Sequence, residues 1–451
     1  MDLREHLQHV MPTGLTGSVA STVGMNVQAS GFPAPVGAIA EVQRQAGPPL
    51  RAEVVGFRNE LTLLYPLEEP SGVRRGCAVR LVRTVPWIRL GDGLLGRVIN
   101  AHGQAVDGRP QPVLEHRARR DRLPPHPCQR PRIDAPLATG VRAIDALLTC
   151  GKGQRMGIFS GSGVGKSVLM GMMARYTDAD VIVIALVGER GREVNEFIQR
   201  DLGPEGLSRS VVVVATSNEP AQVRVHAVST ATAIAEYFRD HGRDVLLLTD
   251  SLTRFALAQR EIGLAAGEPP TTRGYPPSVF AALPRLVERT GRSPSGTITA
   301  FYSVLVEADD PTEPISDAVR GLLDGHIWLA RSLASRGHYP AIDVLESLSR
   351  LMPEVTGRQQ QDAATLLRQL MAAYRDHEDL ITVGAYRRGS HPMVDLALEM
   401  QPEINAFLRQ GIEDRATLDQ ARTDLLELAR RAAQRLGGAG RPSTQEHRPP
   451  R

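Results

Sequence analysis

Short apolar runs broken by glycine and proline fill residues 14–85. The runs are Gly17–Val27, Ala38–Val42, Arg51–Val55, Leu61–Tyr65 and Val79–Val82. Short β-type runs at this spacing are typical of a small barrel or sandwich. The pattern therefore predicts an N-terminal β-barrel domain over residues 14–85. Before it, residues 1–13 carry Leu3, Leu7 and Val10 at helical spacing, which predicts a short amphipathic segment.

Residues 86–138 lack this regular alternation. Gly96–Gly108 contains the turn glycines of a hairpin, and Arg109–Arg132 is rich in proline and arginine. We expect a hairpin here, followed by an extended linker.

From residue 139 to residue 356, longer apolar runs alternate with helical segments. The expected strands are Arg155–Phe159, Val181–Val187, Val211–Ala215, Val245–Thr249 and Ile298–Val304. Continuous runs of branched apolar residues indicate strands buried on both faces of a sheet. Their alternation with helices indicates βαβ units, and hence an α/β domain with a mostly parallel sheet.

The strand pattern ends near Thr356. Arg358–Leu380 and Arg415–Leu436 place leucine and alanine at helical spacing, which predicts a C-terminal helical domain over residues 357–436. Residues 437–451, GGAGRPSTQEHRPPR, have the composition of a disordered tail.

Composition narrows the class of protein. The 451 residues are 42% apolar and 23% charged with a net charge of +3, as in ordinary globular proteins. The small net charge and the 4% aromatic content argue against nucleic acid as a partner. Cys77, Cys128 and Cys150 lie far apart, so free thiols are expected. With no signal peptide and no apolar run of ~20 residues, we expect a cytoplasmic protein.

The strongest chemical motif is Ser160–Ser167, SGSGVGKS, between an expected strand and an expected helix. Its glycines allow successive backbone N–H groups to point into one concavity that holds a β-phosphate. In such a loop the lysine bridges the β- and γ-phosphates, and the serine hydroxyl binds Mg²⁺. The expected nucleotide contacts are Gly161, Ser162, Gly163, Val164, Gly165, Lys166 and Ser167.

Two details qualify this motif. Ser160 stands where the general P-loop pattern has glycine, while the strand, the helix and GKS are intact. Lysine occurs only at Lys152 and Lys166, and the other residues in the combined count of lysine and arginine are all arginine. A compact ammonium retained inside a glycine-rich loop suits a point contact with phosphate.

Two acidic residues follow expected buried strands. Asp250 ends Val245–Asp250, VLLLTD, where a carboxylate faces the ligand crevice of a parallel sheet and helps to order Mg²⁺. Glu189 begins GERGR after another such strand, where a carboxylate can polarise the water that attacks a γ-phosphate. A surface strand-end aspartate and a helix N-cap glutamate are the alternatives.

Longer stretches resemble one family. SGSGVGKS, VGERGREV, LLLTDSLTRFALAQREIGLAAGEPP, GYPPSVFAALPRLVER, LLDGHIWLARSLASRGHYPAIDVLESLSR and VGAYRRGSHPMVDLAL are similar to the export ATPases of flagella and of type III secretion. These are relatives of the catalytic β subunit of rotary ATP synthases, and the resemblance runs from about residue 15 to residue 430. It implies a RecA-like P-loop NTPase core between the barrel and the helical domain, and ATP and Mg²⁺ as substrate and cofactor.

The resemblance also implies roles for single residues. Glu189 matches the family's catalytic glutamate, and Arg190 matches the neighbouring arginine at the phosphate site. Arg350 matches an arginine finger that reaches the nucleotide of the adjacent subunit, although without the family it reads as a salt-bridged surface arginine. Tyr339 matches a position near the adenine, and a packed core tyrosine is the alternative there.

The implied partners follow from the same resemblance. They are the other subunits of a homohexamer, a coiled-coil central stalk protein facing the loop at Tyr275–Phe280, a peripheral stator-like regulator, the export gate at the membrane, and export chaperones with their substrates. The implied location is the cytoplasm, at the inner face of the cell membrane beside the export apparatus.

Three functions compete at this point. A rotary ATP synthase β-type subunit is disfavoured, because PPSVFAALPRLVER and LLDGHIWLARSLA resemble the export branch. A nucleic-acid motor with the same core is disfavoured, because the N-terminal domain lacks clustered aromatic and basic residues. Within the export branch, VGAYRRGSHPMVDLALEMQPEINAFLRQ favours the flagellar ATPase over the ATPase of virulence secretion.

Overall fold

The computed structural model describes residues 14–306 and 313–438. The amphipathic segment expected at residues 1–13 lies outside the described residues, and so does the expected tail beyond residue 438. Gly437 and Gly438, which we assigned to that tail, instead end the last helix.

The strands, in chain order, are β1 Thr16–Val23, β2 Asn26–Ser30, β3 Ile39–Val42, β4 Leu50–Arg58, β5 Leu61–Pro66, β6 Ala78–Arg83, β7 Trp87–Leu90, β8 Arg97–Asn100, β9 His116–Arg119, β10 Pro136–Leu137, β11 Cys150–Gly151, β12 Arg155–Ser160, β13 Val181–Glu189, β14 Ser210–Thr216, β15 Asp244–Asp250, β16 Gly291–Arg292, β17 Thr297–Leu305, β18 Gly325–Leu329 and β19 Ile342–Ser349. The α-helices are α1 Arg142–Leu147, α2 Lys166–Tyr176, α3 Gly191–Glu196, α4 Gly203–Ser208, α5 Ala221–Asp240, α6 Leu252–Ala266, α7 Pro277–Val287, α8 Pro314–Leu322, α9 Arg331–Ser335, α10 Met352–Val355, α11 Arg358–Thr382, α12 Pro392–Leu408 and α13 Leu418–Gly438.

The chain forms two compact units. Among the described residues, the first unit holds the chain up to Arg132, Gly153–Phe159 and Ala179–Leu323. The second unit holds Ile133–Lys152, Ser160–Asp178 and the chain from Asp324 onward.

The first unit begins with a closed barrel in the strand order β1-β2-β5-β4-β3-β6. Its inward positions are apolar and fully buried, among them Val27, Leu50 and Leu64. The run Gly17–Val27, expected as one strand, is instead the hairpin of β1 and β2. The reason is Gly24, whose φ of +56° permits a turn that a side chain would strain.

After the barrel, this unit contains a parallel sheet with helices. The strand order of the sheet is β12-β17-β15-β13-β14-β8. β13 pairs in parallel with both β14 and β15, and nearly all of its residues are buried. Burial on both faces follows from helices such as α5, which is buried along most of its length. The α/β fold class with a mostly parallel sheet is therefore confirmed.

Residues 86–132 are more ordered than their composition indicated. β8 lies within the expected hairpin but pairs in parallel with β14 and so extends the sheet. Within the expected linker, β9 pairs with β7. Arg130 also donates from Nη1 to the carbonyl of Thr290 at 2.8 Å. Long-range pairing of this kind leaves no local periodicity, which is why the sequence pattern missed it.

The second unit contains the P-loop helix α2, the antiparallel pair of β18 and β19, and the C-terminal helices. α11, α12 and α13 pack on one another, and α13 also packs on α1. The helical C-terminal domain is thus confirmed. α12 was not anticipated, although Val394, Ala397, Met400 and Ile404 supply its buried face at helical spacing.

Candidate active site

The P-loop of the second unit joins the end of β12 to the start of α2. Gly163 and Gly165 have φ values of +77° and +94°, in the left-handed region that favours glycine. Gly165 is the N-cap of α2 and carries no side chain, so the first-turn N–H groups of the helix have no side-chain cap. Uncapped N–H groups at the positive end of a helix are the donors that a bound phosphate accepts.

Ser160 is fully buried, and its Oγ has no hydrogen-bond partner among the described residues. A small buried hydroxyl occupies little more room than glycine at this point. The departure from the general P-loop pattern therefore leaves the backbone path of the loop intact.

Tyr339 lies beside this loop in the same unit. Its ring carbons Cδ1 and Cε1 are 3.6 Å from the position that a Cβ would take at Gly165. The ring is 48% exposed, and the Tyr339 carbonyl accepts from the backbone N–H of Gln410 at 3.0 Å. The structure thus has a half-exposed aromatic face at the phosphate loop and not the packed core tyrosine of the alternative interpretation.

In the first unit, the two expected acidic residues end neighbouring parallel strands. Glu189 ends β13 and Asp250 ends β15, with Leu186 in register with Asp250. Asp250 is 3% exposed, and its Oδ1 accepts from the hydroxyl of Ser303 at 2.7 Å. This hydrogen bond holds the carboxylate at the carboxyl edge of the sheet, where ligands bind in open α/β folds.

The structure adds Arg254, which our sequence analysis did not single out. Its Nη2 lies 3.2 Å from Glu189 Oε2, and its Nη1 donates to the Gly188 carbonyl. Gly188 has φ +68°, and a Cβ there would stand 2.9 Å from Arg254 Cδ. The sequence did contain a signal for this residue. Arg254 lies four positions after Asp250, in the first turn of the helix that follows the strand.

Arg190 contacts the carboxylate of Glu193, whereas Arg254 contacts that of Glu189. Its Nη1 lies 3.4 Å from Glu193 Oε1, and its backbone N–H donates to Glu193 Oε2 at 3.4 Å. A side-chain hydrogen bond with Glu189, together with Arg190, holds the pKa of Glu193 below its ordinary range. The acidic residues at the start of α3 are therefore linked to one another as well as to arginine.

Arg350 directly follows β19 in the second unit. Its backbone N–H donates to the Asp324 carbonyl at 3.0 Å, and its side chain is exposed. In the part of the chain that the structure describes, its guanidinium makes no ion pair. The surface position expected from the sequence alone is observed, whereas the expected salt bridge is absent among the described residues.

The loop before α7 is held by its own side chains. The Arg260 guanidinium lies 5.3 Å from the centroid of the Tyr275 ring, and Tyr275 meets Phe280 edge to face at 6.2 Å. Glu268 Oε2 accepts from the backbone N–H of Ser278 and so caps α7. Cation–π and capping contacts of this kind favour one conformation of the loop.

No helix within the described ranges combines the length and the apolar content needed to cross a bilayer.

The fold and these residues define a P-loop ATPase with a RecA-like core. Residues 140–349 match the model of the ATP synthase alpha/beta family, nucleotide-binding domain. Residues 356–427 match the T3SS EscN ATPase C-terminal domain.

Similar proteins of known name show which P-loop ATPases this chain is related to. The chain is 52% identical over 414 residues to a flagellum-specific ATP synthase of Bacillus subtilis (strain 168), covering 91% of this chain and 94% of the relative. It is 50% identical over 395 residues to a type 3 secretion system ATPase of Xanthomonas euvesicatoria, covering 87% and 89%. The chain belongs to the family of flagellum-specific ATP synthases and type 3 secretion ATPases, and it is an ATPase of type III protein export.

Solved structures agree with this assignment. The assembled ATPase EscN of the enteropathogenic E. coli type III secretion system superposes with a TM-score of 0.88 at 44% identity, covering 92% of this chain and all of that one. EscN in complex with its central stalk EscO gives 0.85 at 43% identity, with the same coverage of both chains.

Proposed function

We propose that this chain hydrolyses Mg-ATP in a homohexameric ring that energises and delivers substrates to the flagellar type III export apparatus. The observation that carries the proposal is Arg350, an exposed guanidinium without an ion pair among the described residues, at the end of a strand. An exposed and unpaired guanidinium is available to an anion outside the chain. The nucleotide on the adjacent subunit is that anion, and hydrolysis then depends on assembly.

Each remaining residue has one task in this proposal. The loop Gly161–Ser167 wraps the phosphates, and Lys166 neutralises charge between the β- and γ-phosphates. Glu189 orients and polarises the attacking water, and Arg254 holds the Glu189 carboxylate through the 3.2 Å contact. Arg190 contributes positive charge at the phosphate, and Tyr339 offers its exposed ring to the adenine.

The residues present fit a magnesium ion. Within residues 14–306 and 313–438, no group of three or more acidic, histidine or cysteine side chains is placed to hold a metal. Mg²⁺ in nucleotide sites needs only one or two protein oxygens, because phosphates and waters complete its shell. The Ser167 hydroxyl and the Asp250 carboxylate supply these oxygens, and the ion neutralises charge that develops on the phosphates.

The assembled state and the stalk rest on the relatives. EscN is described as assembled and as bound to its central stalk EscO, and this chain is similar to it over 92% of its length. We propose the same ring here, with Tyr275–Phe280 facing a coiled-coil stalk. A stator-like regulator, the export gate, chaperones and their cargo are the further partners, and the place of work is the inner face of the cell membrane.

Mixing two inactive variants tests the ring. Lys166→Ala lacks the phosphate contact but keeps the finger, whereas Arg350→Ala keeps the loop but lacks the finger. In a 1:1 mixture about one interface in four combines an intact loop with an intact finger, so ATPase activity returns on mixing. Arg358→Ala, at an exposed arginine paired with Asp362, is the matched control and stays active.

A mixture that stays as inactive as its components shows that Arg350 does not act across subunits. The flagellar assignment has a separate test, deletion of the gene. Loss of filaments supports it, and loss of effector secretion with filaments intact assigns the chain to virulence secretion instead.

A further inference from the structure

A cleft lies in the first unit. It has a volume of about 680 Å³ and opens between the outer face of the barrel, the turn at residues 100–104 and the start of α5. Its polar lining includes Arg51, Arg83, Asn100, His102 and Gln104. A pocket of this size holds a small molecule.

Two arginines dominate the barrel side of the cleft. Arg51 on β4 stands opposite Glu41 of β3, and Arg83 at the end of β6 stands opposite Ile39 of the same strand. Because Ile39 and Glu41 are two residues apart, both arginines lie in adjacent rows of one sheet face. The like charge of Arg51 is also felt at Arg83, whose pKa is lowered by burial and then by Arg51.

Neither arginine has a carboxylate at ion-pair distance. Arg83 Nη1 reaches only the Trp87 carbonyl, at 3.4 Å, and within residues 14–306 and 313–438 neither guanidinium forms an ion pair. Two nearby guanidinium groups repel each other, and an anion bound between them removes that repulsion.

The carboxylates around the cleft are already engaged. Glu41 pairs with Arg80 at 2.8 Å, and Glu68 pairs with Arg44 at 3.0 Å. Glu219 accepts from the backbone N–H and the hydroxyl of Thr216, and burial raises its pKa.

Glu53, on the same strand as Arg51, is also engaged. Its Oε2 lies 2.6 Å from His226 Nε2 and 3.6 Å from Arg120 Nη2. The Glu53 charge also acts on Arg83, where it raises the pKa and offsets part of the repulsion from Arg51.

The opposite wall carries polar side chains besides Glu219. Burial, together with the charges of His226, Arg120, Arg83 and Arg51, lowers the pKa of His102 to about 3. Its imidazole is therefore uncharged at neutral pH, and one of its ring nitrogens is a donor. The side-chain amides of Asn100 and Gln104 hydrogen-bond each other at 3.0 Å on the same turn.

We propose that this cleft binds a small phosphorylated ligand, with the phosphate bridging Arg51 and Arg83. A dianionic phosphate accepts forked hydrogen bonds from two guanidinium groups and cancels their repulsion. The cleft is larger than inorganic phosphate alone, so the rest of the ligand is a compact polar group that faces His102, Asn100 and Gln104. None of these residues belongs to the nucleotide site.

The test uses Trp87, whose carbonyl contacts Arg83. In full-length protein carrying Trp328→Phe, Trp87 is the only tryptophan left, because the chain has two. Its fluorescence is titrated with inorganic phosphate at constant ionic strength, with saturating Mg-ADP present to fill the P-loop. We expect a saturable change whose apparent affinity falls at least 10-fold in Arg51→Gln/Arg83→Gln.

The matched control is Arg74→Gln/Arg75→Gln, which removes the same charge from exposed barrel positions outside the cleft. This control keeps the affinity of the parent protein. Each single variant, Arg51→Gln and Arg83→Gln, is titrated as well, so a folding defect in the double variant leaves the test intact. The apo double variant is also expected to melt at or above the temperature of the control, because a repulsion has been removed.

A titration with glycerol 3-phosphate distinguishes a phosphorylated metabolite from free inorganic phosphate as the ligand. Tighter binding than phosphate supports a phosphorylated metabolite as the ligand. Equal or weaker binding reduces the site to free phosphate and overturns that part of the proposal. The whole proposal is wrong if phosphate leaves Trp87 unchanged, or if the cleft variants bind it as the parent does.

Discussion

Arg254 and Glu189 form an ion pair at the end of β13, with Nη2 3.2 Å from Oε2. The same guanidinium donates to the carbonyl of Gly188, so two contacts fix it against consecutive residues of one strand end. A forked donor of this kind orients a carboxylate more tightly than a lysine can. The water-activating role proposed for Glu189 therefore depends on a residue in the helix after Asp250.

Substitution of Arg254 tests this dependence. We expect Arg254→Ala to lower kcat about 10²-fold or more, since the carboxylate loses its orientation, whereas the apparent KM for ATP changes little. Steady-state phosphate release gives both constants. Arg192→Ala, which removes an exposed arginine paired with Glu196, is the control and keeps normal turnover. An Arg254→Ala enzyme with unchanged kcat shows that the ion pair has no part in catalysis.

The two lysines offer a matched pair of variants. Lys166→Ala removes the only ammonium of the P-loop, and we expect turnover to fall to the background rate. Lys152→Ala removes a lysine 3.9 Å from Asp178 in the same unit, and activity remains near that of the unaltered protein. A coupled ATPase assay compares them, with circular dichroism to verify folding. Substantial activity in Lys166→Ala contradicts the assignment of the phosphate loop.

Tyr339 is expected to act on binding and not on chemistry. Because its half-exposed ring lies beside Gly165, Tyr339→Ala raises the KM for ATP roughly 10-fold and leaves kcat nearly unchanged. Tyr339→Phe keeps the ring and therefore the KM. Titration with a fluorescent adenine nucleotide measures the affinity directly. If the alanine variant binds as tightly as the phenylalanine variant, the ring does not contact the adenine.

Asp145 links stability of the second unit to pH. It is fully buried and accepts from the N–H and hydroxyl of Thr139 and from the N–H of Gly140, and burial raises its pKa to about 7. A carboxyl group with a higher pKa when folded than when unfolded stabilises the fold at low pH. That contribution is lost as the pH rises through the folded pKa.

We therefore expect the free energy of unfolding of the second unit, relative to Asp145→Asn, to fall by on the order of 2 kcal/mol from pH 5 to pH 8. Urea titrations at several pH values measure it, in proteins that carry Trp87→Phe so that the fluorescence reports Trp328 in that unit. A pH-independent difference between the unaltered protein and Asp145→Asn excludes titration of Asp145 in this range.

The residues of the phosphate loop could be named from the sequence, because their chemistry is encoded within eight consecutive positions. The same holds for the strands that end at Glu189 and Asp250, since burial on both faces leaves an unbroken apolar run. The roles of these residues remain proposals. The sequence also determined the order of barrel, parallel sheet and helices, because each has its own periodicity.

Tertiary structure alone decided which distant residues meet. α3, α4, β14, α5 and β15 lie between Glu189 and Arg254 in the chain, and no local pattern indicates that their side chains touch. β8 joined the sheet through pairing with β14, and Gly24 broke an apparent single strand into a hairpin. Arg51 and Arg83 became neighbours only because β4 and β6 flank β3 in the barrel. Such contacts are set by the packing of whole elements, which spacing along one chain segment does not record.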